Sequence, residues 1–214
     1  MKIEVWSDFM CPFCYLGEVK LRRAVANLGV EDKVEILFRS YELHPGGPEW
    51  DGSSFADLIM KKYGMTREEA EARNADITAH AKDLGLDYRM DLMKPTNSFK
   101  AHRLAKFGSS LGKEKEILEG LFSAYFEHGA NLSDDKELLA IAVKAGLPAE
   151  ETEKVLKDGT AFASEVHRDE DLSGRYSVDT VPFFLFNGKY VVTGAQSVST
   201  FEKAIRTALD DMEK

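Results

Sequence analysis

The chain has 214 residues, of which 43% are hydrophobic and 30% charged, with 16 Gly and 6 Pro. That balance belongs to a globular protein with an ample core and excludes a disordered or collagenous chain. Asp plus Glu number 37 against 28 Lys plus Arg, a net charge of -9 that argues against a phosphate-backbone binder, so no nucleic-acid partner is expected.

Lys2 to Ser7 alternates Ile3 and Val5 with polar neighbours and predicts a first strand. Pro12 has the fixed φ of a first helical residue, with Cys11 in the N-cap place before it. Leu21, Ala24, Val25 and Leu28 then recur at helical spacing as far as Gly29. Val34 to Tyr41 predicts a second strand, stopped by His44-Pro45-Gly46-Gly47-Pro48. The intervening helix is long enough for a right-handed crossover between parallel strands.

From about Ser53 to Tyr176 the pattern is helical. Phe55 to Tyr63 ends at Gly64, and Thr66 with Glu69 forms a capping box for a helix reaching Leu84. Asn97 is placed to cap Phe99 to Phe107; Glu114 to His128 ends at Gly129. Ser133 or Asp134 opens a run to Ala145, Pro148 starts another that stops near Gly159, and the last covers Ala161 to Tyr176. Phe183 to Phe186, an Asn187-Gly188 turn and Tyr190 to Val192 then predict an antiparallel hairpin whose phenylalanines belong to the core. Ser199 is placed to cap a closing amphipathic helix. The expected fold class is therefore α/β, with a discontinuous sheet domain (1–50 and 177–214) interrupted by an all-helical domain (51–176).

No apolar run approaches the roughly 18 residues needed to span a bilayer, so no membrane partner is expected. The opening Met1-Lys2-Ile3-Glu4-Val5-Trp6 lacks the apolar run of about 7 to 15 residues of a secretory signal. Read as the native start, it predicts a cytoplasmic protein.

The two cysteines, Cys11 and Cys14, stand three residues apart at the N-terminus of a helix that follows a strand. Unpaired amide groups and the positive end of the helix dipole favour a thiolate there, so Cys11 is expected to be the more acidic thiol and to accept N–H bonds from the first turn. Cys14, one turn inside, is expected to be shielded. The spacing suits a reversible disulfide in which Cys11 attacks and Cys14 resolves. No metal site is expected, because a structural zinc needs four ligands and no second Cys or His pair has ligand spacing.

At this point the chain resembles the thioredoxin superfamily, and within it the DsbA-like FrnE family of dithiol-disulfide oxidoreductases. The resemblance rests on Val5-Trp6-Ser7-Asp8, Cys11-Pro12-Phe13-Cys14-Tyr15-Leu16-Gly17, Asn97-Ser98-Phe99-Lys100-Ala101-His102-Arg103-Leu104, and Val178-Asp179-Thr180-Val181-Pro182-Phe183-Phe184 leading into Gly194-Ala195-Gln196. It implies a thioredoxin fold split by a helical insertion, with Pro182 cis and facing the cysteines. Pro12, Phe13, Val181 and Pro182 would then border the substrate, with Val181 offering backbone groups to an extended segment. The buried acid that thioredoxins carry six residues before the nucleophile corresponds to Val5, so that relay is missing. Glu4, on the other strand face, is expected to be exposed. Proton transfer at Cys14 would fall to solvent or to His102, with Asn97 and His102 as accessory residues beside their ordinary roles as a helix cap and a helix-face histidine.

The function expected is disulfide exchange with protein or small-molecule thiols, requiring no cofactor, with glutathione admitted as reductant or ligand and a homodimer left open. Two alternatives stand beside it. A related branch, the 2-hydroxychromene-2-carboxylate isomerases and kappa-class glutathione transferases, uses a single Ser or Cys, so an isomerase or transferase would tolerate Cys14→Ser. A redox-sensing holdase would suppress aggregation without Cys11.

Overall fold

The computed structural model describes residues 1–212. Strand β1 (Lys2–Ser7) pairs in parallel with β2 (Glu35–Ser40) and antiparallel with β3 (Phe183–Phe186), which pairs antiparallel with β4 (Tyr190–Thr193). The sheet order is β2-β1-β3-β4, so β1 has a strand on either side. Helix α1 (Pro12–Leu28) makes the crossover from β1 to β2. Its start is set by Pro12 at the first helical position and its end by Gly29, whose φ of 61° lies in the left-handed region that glycine tolerates.

Alternation along β1 sends Ile3 and Val5 to one face. There they pack with Leu21, Ala24 and Val25 of α1, Phe184 and Phe186 of β3, and Phe201, Ile205 and Ala208 of the closing helix, all buried. Phe184 and Phe201 meet edge to face at 4.7 Å between ring centres. Gly17 lets α1 lie close on β3: a Cβ there would lie 3.0 Å from both the Phe184 ring and the Pro182 ring. The hairpin turn takes positive φ at both Asn187 (50°) and Gly188 (69°), the type I′ geometry that its dipeptide predicts.

The opposite face of β1 differs from expectation. Glu4 is buried, not exposed, and Arg39 on β2 holds its carboxylate through Nε (2.9 Å) and Nη2. Arg39 Nη1 also donates to Asp169 Oδ1 at 3.0 Å, Asp169 Oδ2 accepts the Ser40 backbone N–H at 3.0 Å, and the Trp6 indole N–H donates to the Asp169 carbonyl at 3.0 Å. The last helix before β3, which runs Ala163–Arg175, carries Asp169 and so covers this face.

The chain packs as two compact units: Met1–Tyr41 with the described residues from His167 onward, and Glu42–Val166. These junctions differ from the expected 50/51 and 176/177 for a local reason. Residues before 51 bond within the helical unit, as in Trp50 N–H to Thr96 Oγ1 (3.1 Å) and Lys100 to Glu49 (3.5 Å). Asp169 and Tyr176, in contrast, belong with Trp6 on the sheet.

The helical unit contains α2 (Phe55–Tyr63), α3 (Arg67–Asp83), α4 (Phe99–Ser110), α5 (Glu114–His128), α6 (Asp135–Lys144) and α7 (Ala149–Lys157), followed by α8 (Ala163–Arg175), which crosses into the other unit. Capping boxes at Ser54/Asp57 and Thr66/Glu69 start α2 and α3, and Asp134 caps α6. Ser133, the other candidate for that cap, bonds Thr96 and Asn131 instead. Asn97 sits one residue before the cap of α4, although its Oδ1 still accepts the Phe99 N–H at 2.9 Å. Buried Arg103 donates to the carbonyls of Val155, Asp158 and Ala161, closing the C-terminal end of α7 with a cation. The closing helix α9 (Val198–Asp210) is capped by Ser197, whose Oγ accepts from Thr200 N–H; Ser199 lies inside the first turn.

Candidate active site

Leaving β1, the chain makes a tight turn held by Asp8. Its carbonyl accepts the Cys11 N–H at 3.1 Å, and its Oδ1 accepts the Met10 N–H at 3.2 Å. Cys11 then takes an extended backbone conformation at the N-cap, and the Cys14 N–H closes the first turn onto the Cys11 carbonyl at 3.0 Å. Both cysteines are free thiols, and they approach one another to 3.3 Å. That is adjacency without a bond, from which a small side-chain rotation forms a disulfide of about 2.05 Å.

The two sulfurs have different surroundings. Cys11 makes no cap hydrogen bond to the first-turn amides, contrary to expectation. A thiol is a donor, and Cys11 Sγ turns to the carbonyl of Val181 at 3.7 Å. Cys14 is the more enclosed of the two, 1% exposed against 5%. Burial, followed by the hydrogen bond and charge of Cys11, pushes the Cys14 thiol well above the usual range, while the Ser7 hydroxyl and the Asp8 backbone amide pull it the other way by donating to its sulfur.

The Val181–Pro182 peptide is cis, the geometry implied by the resemblance, and Gly194 N–H fixes the Pro182 carbonyl at 2.8 Å. The Val181 carbonyl thus lies against the Cys11 sulfur, with Pro182 next to it in the chain. Pro12 is buried, whereas Phe13 is 36% exposed. Asn97 and His102 belong to the helical unit. There Asn97 Nδ2 donates to Glu42 at 3.4 Å, and His102 is wholly buried on α4.

Ser7 and Asp8 are the residues that motif reading passed over as site groups. The signal was present, because the alternation that sends Ile3 and Val5 toward α1 places Ser7 on the same face of β1, and Asp8 follows it at the turn that leads to Cys11. Among the described residues, no cluster of three or more His, Cys, Asp or Glu is arranged to hold a metal, and no helix is long and apolar enough to cross a membrane.

A βαβ–ββα sheet interrupted by helices, with vicinal thiols at the start of α1 opposite a cis-proline, defines a thioredoxin-fold protein of the DsbA type. The DSBA-like thioredoxin domain family matches residues 2–206, and the chain belongs to that family of thiol-disulfide oxidoreductases. It is 35% identical to a probable DsbA oxidoreductase of Streptomyces coelicolor across 98% of this chain and 90% of that one, with a TM-score of 0.94. Two more distant structures share the fold. One is a 2-hydroxychromene-2-carboxylate isomerase, 17% identical with a TM-score of 0.71 over 100% of this chain and 98% of that one. The other is the cytosolic disulfide reductase DsbM of Pseudomonas aeruginosa with GSH, 13% identical with a TM-score of 0.66 over 98% and 100%.

Proposed function

We propose that the protein exchanges disulfides with protein or small-molecule thiols through the Cys11/Cys14 dithiol, in the manner of the FrnE branch. The observation that carries this reading is the pair of free thiols 3.3 Å apart at the start of α1, with the Cys11 sulfur on the Val181 carbonyl. Cys11, as thiolate, attacks a substrate disulfide and forms a mixed disulfide while the first substrate thiol departs. Cys14 then attacks Cys11 Sγ, the ring closes, and the second thiol leaves. Two electrons pass from the dithiol to the substrate.

Val181 and Pro182 form the backbone edge along which an extended substrate lies, and Pro12 with Phe13 forms the opposite border. Glutathione is the small thiol taken to reset the pair, two molecules giving one glutathione disulfide; the DsbM structure with GSH supports that choice. Asn97 and His102 stand as accessory groups, and an unchanged pH profile of insulin reduction in His102→Ala would remove His102 from proton handling.

The test is single turnover on insulin with the Cys variants. Cys11→Ser is expected to abolish reduction, and Cys14→Ser to accumulate a mixed disulfide visible by mass spectrometry. Multiple turnovers by Cys14→Ser at the wild-type rate would overturn dithiol exchange in favour of monothiol glutathione chemistry.

A further inference from the structure

The Val181 carbonyl meets the Cys11 sulfur at 3.7 Å, so whatever fixes the Val181–Pro182 backbone against α1 sets the geometry at which a bound disulfide reaches the nucleophile. Lys20, two turns along α1 from Pro12, makes such a contact. Its Nζ donates to the Ala195 carbonyl at 3.0 Å.

Ala195 lies in a bend joined directly to Pro182. Thr193 ends β4 opposite Phe183, and the ladder continues one step further with the Gly194 N–H on the Pro182 carbonyl at 2.8 Å. Gly194 then turns the chain out of the ladder with a φ of 74°, a left-handed conformation that glycine adopts at no steric cost. Gln196 tightens the bend: its backbone N–H donates to the Gly194 carbonyl and its Nε2 to the Thr193 carbonyl, both at 2.9 Å. The Ala195 carbonyl is left for the lysine.

An ordinary surface lysine lays its methylene stem on the protein and keeps its ammonium in water. Lys20 is half-buried instead, and burial holds its ammonium below the usual lysine range. The residues three and four positions to either side on α1 are Leu16, Gly17, Arg23 and Ala24, so its own helix offers no carboxylate to offset that cost. Glu18, the acid nearest in sequence, is held by Arg22 through Nε at 3.0 Å and Nη2 at 2.9 Å. The charge is therefore spent on one backbone carbonyl, the setting in which a hydrogen bond from a cation is strongest.

We infer that Lys20 is a positioning residue for exchange with extended disulfide substrates: by holding the Ala195 carbonyl it fixes the Gly194 bend, whose N–H holds the Pro182 carbonyl, and so keeps the Val181–Pro182 edge in place beside the Cys11 sulfur. The inference rests on the dithiol reading above. Cys11, Gly17 and Lys20 then tie one helix to this edge at three successive points, through Val181, Pro182 and Ala195. Lys20 forms and breaks no bond in the reaction, so its loss is felt in how the substrate is held and not in the chemistry of the sulfurs.

The experiment is steady-state reduction of insulin by wild type, Lys20→Met and Lys20→Arg, with dithiothreitol resetting the dithiol. Methionine keeps the length and helix propensity of lysine without its charge, and circular dichroism and urea unfolding check that each variant is folded. Lys20→Met is expected to raise KM about tenfold, as befits one hydrogen bond from a charged group, with kcat retained. Lys20→Arg, which again offers a cationic donor to a single carbonyl, is expected to bring KM back toward the wild-type value. An unchanged KM in Lys20→Met, or a fall in kcat alone that Lys20→Arg does not restore, would overturn the role of Lys20 while leaving dithiol exchange intact. Failure of the wild type to reduce insulin would overturn both.

Discussion

The two faces of β1 carry opposite chemistry within six residues. Toward α1 the strand shows Ile3, Val5 and Ser7, an apolar floor that ends in one hydroxyl. Toward α8 it shows Lys2, Glu4 and Trp6, joined to Arg39 and Asp169 in a network of ion pairs and hydrogen bonds. The contrast teaches that this protein keeps its buried charge where it fastens strands and helix together, and keeps charge off the face of β1 that packs against α1. A slip of one residue in register would exchange the two faces.

The largest effect that separates them should come from Arg39→Ala. It leaves the carboxylates of Glu4 and Asp169, 9% and 4% exposed, without their shared cation, and a loss of about 3 kcal/mol in urea unfolding is expected. The rate of Cys11 alkylation should stay at the wild-type value. A loss below about 1 kcal/mol would mean that water already solvates that face.

On the sulfur side, Gly17→Ala is expected to cost about 1–2 kcal/mol, since its new methyl must displace the Phe184 and Pro182 rings. Because Pro182 neighbours the Cys11 acceptor carbonyl, insulin reduction should fall with it. Full activity in a destabilised Gly17→Ala protein would show that the helix shifts without carrying Cys11.

The smallest effect is electrostatic. Cys14 holds its proton more tightly folded than unfolded. Its contribution is therefore complete below the ordinary thiol pKa of about 8.5 and is lost as pH rises toward the folded value, by at most about 1.4 kcal/mol per pH unit. Urea unfolding of the reduced protein between pH 8 and pH 10 should show that decline, and Cys14→Ala should flatten it. An equal slope in both would assign the alkaline loss to other groups.

Much of this architecture is legible from local pattern. Pro12, Gly29, Thr66 with Glu69 and Asn187 with Gly188 mark element ends because their backbone or capping chemistry is satisfied within a few residues. The dithiol and Pro182 were legible by motif and resemblance. What escaped depends on tertiary neighbours. Glu4 reads as exposed until α8 is known to cover its face, although Trp6, two residues on, shares that face and is a large apolar clue. Ser199 and Asn97 miss their cap positions by one or two residues because Ser and Asn cluster there, and only φ and ψ choose among them.

The side chain of Asn187 does more than permit a hairpin turn. Its Oδ1 accepts the Lys2 N–H at 2.9 Å, its own N–H donates to the Lys2 carbonyl at 2.8 Å, and its Nδ2 donates to the Ala208 carbonyl at 3.2 Å. One amide therefore ties together the start of the chain, the tip of the hairpin and the far end of α9. Aspartate and glycine tolerate the same backbone, yet neither substitutes freely: one would set an oxygen against the Ala208 oxygen, and the other would leave the three segments without their common rivet.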